Sequence, residues 1–335
     1  MRKITINDIA KELGVSASTV SRALRDSYEI STATKKKIMA YAKQANYHPN
    51  PHAISLRERK SKTIAVVIPD ISNYFFTQAL YGIEQVALSN QYHVLVYQTH
   101  DQLQTEIEFF NHFQNGRVDG VLVSPANNPD RSFEHIERMS EMIPVVCFDR
   151  VEPSLQMPYV TCNDYDSSFK ATEQLIKKGC KRIFFIGISD IIPVIKLRLN
   201  GYKDALKKHG MPILQEDIIM CDSAQLLAER VRWLLAKPTR PDGLVSAVER
   251  YTFTVYDVCN ELQLKIPTHL RIISFSNTPY AHLLNPSLST VVLPAGEVGK
   301  SASEILFRKI NKKDTKFESS NITLNCVLTF RGSSA

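Results

Sequence analysis

Ala17, Ser18, Ser21 and Arg22 fall on what reads as the first two turns of a short helix, presenting short side chains and one arginine. Small residues let a helix approach a surface closely, and the arginine fork donates in a fixed plane. The set suits a helix whose N-terminal part enters a groove about 12 Å wide, as in the major groove of B-form DNA. A second group lies beyond the ends of apolar runs: Asp70, Asn73, Phe75, Asp149, Arg150, Arg198 and Phe275. Carboxylates and arginines around an aromatic platform offer fixed donors and acceptors to a polyhydroxylated or planar small molecule. For Asp70 and Asn73 an ordinary turn role is equally open, because turns after strands favour these residues.

Nothing comparable points to catalysis. The chain has no G-x-G-x-x-G, no G-x-x-x-x-G-K-[ST], no G-x-S-x-G and no metal-binding cluster. His48, His52, His93, His100, His112 and His135 show no paired spacing with a nucleophile. The six cysteines, Cys147, Cys162, Cys180, Cys221, Cys259 and Cys326, are scattered without C-x-x-C, and five lie in or beside apolar runs. Reduced, buried thiols are expected, with no metal and no cofactor. The chain reads as a non-enzyme.

The elements that must carry the first group are three short helices. Thr5 can cap a helix with Asp8 near its positive end, Ile9, Ala10 and Leu13 share one face, and Gly14 is a natural stop. Ser16 can cap a second helix with Val20, Ala23 and Leu24 inward, and Ser31 a third carrying Ile38, Met39, Ala42 and Ala45. The tight turn at Gly14 makes this a helix-turn-helix candidate. Residues 48–60, with two prolines and a basic end, read as a linker, although Pro51 could stand at the first position of a short helix.

The second group needs strands. Apolar runs at 64–68, 93–97, 120–123, 145–148, 182–187, 243–247, 271–275 and 290–293 alternate with amphipathic stretches such as 76–89, 168–178, 197–208 and 251–262. Several runs lack polar alternation, which indicates strands of a parallel sheet buried on both faces. Repeated βα units over this length predict two doubly wound subdomains, with a ligand beyond the carboxyl ends of the strands. The predicted class is therefore α/β, with an all-α N-terminal headpiece.

Charge separates the two parts. Residues 1–60 hold 12 Lys and Arg against 5 Asp and Glu, a balance of +7 that equals that of the whole chain. The remainder carries 29 of each sign. A basic end on a neutral body suits a phosphate-binding arm, since each cation near a phosphate releases condensed counterions. The polar N-terminus shows no secretory signal and no stretch approaches the length of a membrane helix, so a cytoplasmic location is expected.

The run TINDIAKELGVSASTVSRAL at residues 5–24, continued through Ser31, Thr34, YHPN at 47–50 and the Ala53 to Leu56 spacing, resembles the headpiece of the lactose-repressor (LacI/GalR) family. The resemblance implies that Ala17, Ser18 and Arg22 face bases while Thr5, Ser16, Thr19, Ser21, Ser31 and Thr34 hold phosphates. It also implies a hinge helix from Asn50 that orders on DNA with Ala53, and a minor-groove wedge at Leu56. The segments VIPDISNYFF at 67–76, VDGV at 118–121, PVVCFDR at 144–150, RLNGY at 198–202 and LNPSLSTV at 284–291 extend the likeness over nearly the whole chain. They imply a two-lobed periplasmic-binding-protein-like core.

Two departures stand out: Val248-Glu249 where the family commonly has Asn-Asp, and Phe275-Ser276 where it commonly has Phe-Asp. The second removes an acceptor for sugar hydroxyls; Glu249 could compensate, and Arg250 beside it could favour an acidic ligand. The resulting expectation is a headpiece at 1–47, a hinge at 48–60 and a core at 61–335. Within the core, one lobe would span 61–160 with 292–320 and the other 161–291 with 321–332. No leucine heptads follow the run 322–330, so a two-fold homodimer is expected rather than a tetramer. Together these features predict a regulator, most simply a repressor, that binds double-stranded operator DNA under control of a sugar or sugar derivative. A transport protein of the same core fold is the first alternative, disfavoured by the basic headpiece, and control by a protein co-regulator is the second.

Overall fold

The computed structural model describes residues 4–47, 60–113, 116–130, 132–152, 155–311 and 321–335. The chain divides into two units, Met1–Ser61 and Lys62–Ala335. In the first, α1 (Ile6–Leu13), α2 (Ala17–Ala23) and α3 (Thr32–Gln44) each start at a hydroxyl. The side chains of Thr5, Ser16 and Ser31 accept from the amides of Asp8, Thr19 and Thr34, satisfying donors that the first turn leaves free. Gly14 closes α1 at φ +63°, a left-handed conformation that favours glycine. The core of this unit is Ile9, Ala10, Val20, Ala23, Ile38 and Ala42.

Four residues expected to face inward do so less completely. Leu13, Leu24 and Ala45 are half-buried, and Met39 is 51% exposed. Ile38 and Ala42, one turn apart, set the inward face of α3, and Met39 is carried about a quarter-turn away from it.

The second unit holds two six-stranded sheets. The first contains β1 (Thr63–Ile68), β2 (His93–Gln98), β3 (Gly120–Val123), β4 (Val145–Phe148), β5 (Tyr159–Cys162) and β11 (Ile322–Leu324), in the order β11-β5-β4-β3-β1-β2. The second contains β6 (Ile183–Gly187), β7 (Ile218–Met220), β8 (Gly243–Ser246), β9 (Arg271–Phe275), β10 (Ser289–Val292) and β12 (Val327–Thr329), in the order β12-β10-β9-β8-β6-β7. Every pairing is parallel except that of β12 with β10. Around them lie α4 (Tyr74–Ser89), α5 (Leu103–Phe113), α6 (Glu134–Ser140), α7 (Asp164–Lys177), α8 (Pro193–Lys208), α9 (Ala224–Leu235), α10 (Glu249–Glu261) and α11 (Ala295–Ile310). This is an α/β core of two parallel-rich lobes following an all-α headpiece.

The run at 322–330 differs from expectation. Its first half pairs with β5 in the first sheet and its second half with β10 in the other, so the chain passes between lobes at Asn325 and Cys326. Residues 322–324 thus belong with the first lobe rather than the second. The chain also crosses between β5 and α7, and between β10 and α11, which packs on α4 and on strands of the first sheet. Glycines allow the close helix pairs: a Cβ on Gly82 would lie 2.1 Å from the Gly296 carbonyl oxygen, and one on Gly201 2.2 Å from that of Tyr165. Among the described residues no helix is long and apolar enough to cross a membrane, and no group of three or more His, Cys, Asp or Glu side chains could hold a metal.

Candidate functional site

The headpiece residues separate by exposure. Ser18 and Arg22, one turn apart on α2, lie on its outer side, whereas Ala17 packs on the core. Arg22 Nη1 lies 3.1 Å from Glu29 Oε2. Ser21 lies in the second half of α2, whereas Thr5, Ser16, Thr19, Ser31 and Thr34 gather at helix starts, where free amides and the helix dipole favour an anion. Ser16 Oγ accepts from the Thr19 amide at 3.1 Å and shares hydrogen bonds with Ser18 Oγ and Thr19 Oγ1 at 2.7 and 2.9 Å. Ser31 Oγ accepts from the Thr34 amide at 3.3 Å and lies 2.9 Å from Thr34 Oγ1. Thr5 and Asp8 cap each other reciprocally, with the Thr5 amide donating to Asp8 Oδ2 at 2.8 Å. Asn50, Ala53 and Leu56, with the hinge to which they would belong, lie outside the described residues.

In the core, strand ends converge on a solvent-open cleft of about 600 Å³ between the lobes. Asn73, Phe75, Asp149, Arg150, Arg198, Glu249, Phe275 and Ser276 line it. Asp70 does not: it is half-exposed, and its Oδ1 accepts from the Ser72 amide at 2.8 Å to form a turn. Asn73 has both roles, since it lines the cleft and caps α4 through the Phe75 amide at 3.0 Å. Val248, one of the two departures from the family pattern, lines the cleft as well, and apolar residues that the sequence does not single out complete the walls, among them Phe76, Ile192, Ile195 and Leu293.

The charged groups are largely paired. Arg198, almost fully buried, donates from Nε to Asp164 Oδ1 at 2.6 Å and from Nη1 to the Ala247 carbonyl at 2.8 Å. Its guanidinium lies over the Phe275 ring, 4.1 Å from the centroid. Asp164 is a supporting residue that the sequence reading missed: an acidic residue in a helix's first turn reads as ordinary dipole compensation. Its other carboxylate oxygen is buried with no hydrogen-bond partner. Burial pushes the Asp164 carboxyl up in pKa, opposed by Arg198. Arg150 makes a two-pronged bond to Asp101, which stands at φ +60° after β2.

Asp149 and Glu249 are the carboxylates without a cationic partner of this kind. Burial pushes Asp149 up to about 6; Arg150 and Arg198 oppose the shift and Asp164 adds to it. Glu249 is committed to the loop after β9: its Oε2 accepts from Ser276 Oγ at 2.6 Å and from the amides of Asn277 and Thr278 at 2.8 Å each. Ser276, in place of an acidic residue, therefore donates to Glu249. Arg250 is exposed, with its guanidinium 5.2 Å from the centre of the Tyr251 ring, and is not part of the cleft lining. The support it would give an acidic ligand is removed. Asn277 joins the lobes, donating to Gln78 Oε1 and to the Leu293 carbonyl at 2.8 Å each.

Residues 5–50 match the family described as bacterial regulatory proteins, lacI family, and residues 172–334 match a periplasmic binding protein-like domain. The chain is 30% identical over 333 residues to catabolite control protein A of Priestia megaterium, covering 98% of this chain and 99% of that protein. It is 29% identical over 331 residues to the HTH-type transcriptional repressor CytR of Escherichia coli K12, covering 98% and 96%. Among solved structures, the lac repressor dimer bound to operator and the anti-inducer ONPF superposes with a TM-score of 0.88 at 19% identity, covering 99% of each chain. A complex of the transcriptional regulator CelR with cellobiose gives 0.74 at 21% identity, covering 99% of this chain and 100% of that one.

Proposed function

Because this chain belongs to the lacI family of bacterial regulatory proteins, we propose that its headpiece reads an operator while a small molecule in the interlobe cleft sets its affinity for that DNA. Ser18 and Arg22 supply base contacts, and Thr5, Ser16, Thr19, Ser31 and Thr34 hold phosphates at helix starts. Asn50, Ala53 and Leu56 would contact the minor groove. The reading of the cleft is carried by one observation: eight of the nine side chains singled out as ligand contacts line a single cavity at the carboxyl ends of the strands.

The ligand is an uncharged, hydroxylated molecule with an apolar face. Arg198 and Arg150 are already neutralised by Asp164 and Asp101, which leaves Asp149 and Glu249 to repel an anion. Sugars and their uncharged derivatives fit these terms, and cellobiose, the partner of CelR in its complex, is such a sugar. Ligand binding changes the lobe arrangement and hence operator affinity, with a coupling of roughly 1–3 kcal/mol. The protein acts as a cytoplasmic repressor. A second copy of the chain covers the edge strand β2 and the neighbouring α4, where Leu95, Val96, Tyr81 and Leu88 are 42–65% exposed. The lac repressor structure is that of a dimer on its operator, and a two-fold pair here would bind a roughly palindromic site.

The test is the melting temperature of the full chain with neutral sugars, nucleosides, sugar acids and phosphorylated sugars. Stabilisation by a neutral compound that disappears with Arg198→Ala is the expected result. Stabilisation by acids alone, or stabilisation that survives the substitution, would refute the assignment.

A further inference from the structure

Two of the three passages between lobes carry a cysteine, and the two cysteines are adjacent. Cys162 ends β5 opposite Leu324 of β11, and Cys326 lies two residues beyond that partner. Asn163 stitches the passages together. Its amide donates to the Leu324 carbonyl at 3.0 Å, its Nδ2 to Asn325 Oδ1 at 2.9 Å, and its Oδ1 accepts from the Cys326 amide at 2.8 Å. Both side chains pack in the same apolar cluster. We propose that Cys162 and Cys326 form a redox modification site in which a hydroperoxide oxidises the pair to a disulfide across the lobe hinge.

Accessibility and acidity assign the roles. Cys326 is half-buried, whereas the other five cysteines are buried. Burial raises the thiols of Cys147 and Cys259 to about 12 and that of Cys180 to about 11. The Cys326 thiol moves down instead, first through the neighbouring Cys162 thiol and further through Ser167 and Arg198, against burial and Asp164. The thiolate is the reactive form, and it is favoured at the more reachable of the two sulfurs. The Cys326 thiolate attacks one oxygen of hydrogen peroxide; the O–O bond breaks, a proton is taken up, water leaves and Cys326 becomes a sulfenic acid. The Cys162 sulfur then attacks the Cys326 sulfur, and the expelled hydroxide takes the Cys162 proton as a second water. Two thiols are oxidised to one disulfide and one peroxide is reduced to two waters.

The bond would tie the passage from β5 into α7 to the passage from β11 into β12. Asp164, two residues after Cys162, holds Arg198, so oxidation acts on the hinge and on the cleft together. The oxidation chemistry is independent of whether the cleft takes a ligand; its regulatory consequence rests on that reading.

The reduced full chain is treated with hydrogen peroxide, alkylated, digested without reductant and mapped by mass spectrometry. The expected result is a Cys162–Cys326 cross-linked peptide as the main product, reversed by dithiothreitol, with a melting temperature that shifts on oxidation and returns on reduction. In Cys162→Ser the partner is missing, and Cys326 should accumulate as a sulfenic acid trapped by dimedone. Cys326→Ser should yield neither the cross-link nor a trapped sulfenate at Cys162. Preferential oxidation of any other cysteine, or Cys326 proceeding to sulfinic acid in the unsubstituted chain without the cross-link, would overturn the proposal.

Discussion

Arg22 is held by Glu29 through a contact between side chains that are 52% and 45% exposed. An ion pair that open contributes about 0–1 kcal/mol, so a base edge can take the guanidinium at little cost. Arg22→Ala should weaken specific binding by about 1–3 kcal/mol while leaving random duplex nearly unaffected. Fluorescence anisotropy on both duplexes separates these effects, and an equal loss on the two would assign Arg22 to phosphate instead. Asp149 allows a test of opposite kind, in the cleft. Its folded pKa is raised to about 6, chiefly by burial, so folding favours its protonated form. That contribution is fully present below the ordinary carboxyl pKa of about 3.9 and is lost as pH rises through about 6. Asp149→Asn, which cannot ionise, should therefore be more stable than the unsubstituted chain at pH 7.5 by up to roughly 3 kcal/mol, with the advantage vanishing near pH 4. Denaturant melts across that range decide the matter, and a difference independent of pH would show that ionisation is not its cause.

Elements place these residues, and some of that placement was legible in the sequence. The headpiece helices could be read because each begins at a capping hydroxyl, and the central strands because runs such as 64–68 are continuously apolar. β5 escaped notice because Tyr159 and Thr161 alternate with buried residues, and β7 because three residues leave too short a pattern. The cleft residues at strand ends were found from topology and resemblance. Asp164 and Asp101 were not, because their role is set by partners 34 and 49 residues away. Gly201 shows how directly the elements govern the site. It sits one turn after Arg198 on α8, where a Cβ would lie 2.2 Å from the Tyr165 carbonyl oxygen of α7. Since α7 also carries Asp164, Gly201→Ala should push the helices apart, cost about 1–3 kcal/mol in stability and weaken ligand binding through Arg198. Replacing the equally buried Ala205, one turn further along, by glycine removes a Cβ without that collision. It should lower stability with a smaller effect on affinity. Comparable affinity losses in both variants would argue that general loosening of α8, and not its spacing from α7, is responsible.

At the scale of the whole molecule the dominant fact is the uneven distribution of charge. Residues 1–60 carry the entire positive excess and the remainder is balanced at 29 charges of each sign. DNA affinity should therefore depend on salt through the headpiece alone, because only there does binding release counterions in quantity. Lys36 and Lys37 are exposed on α3, the helix whose start carries Ser31 and Thr34. Neither is expected to read a base. Lys36→Gln should accordingly weaken operator and random duplex alike, and reduce the slope of log affinity against log salt by about 0.9. Lys207→Gln, at an exposed position near the end of α8, should leave both affinities and the slope unchanged. If the Lys207 variant lowered the slope as much as the Lys36 variant, the balanced unit would have to lie against phosphate as well. The division between a cationic reader and a neutral sensor would then fail.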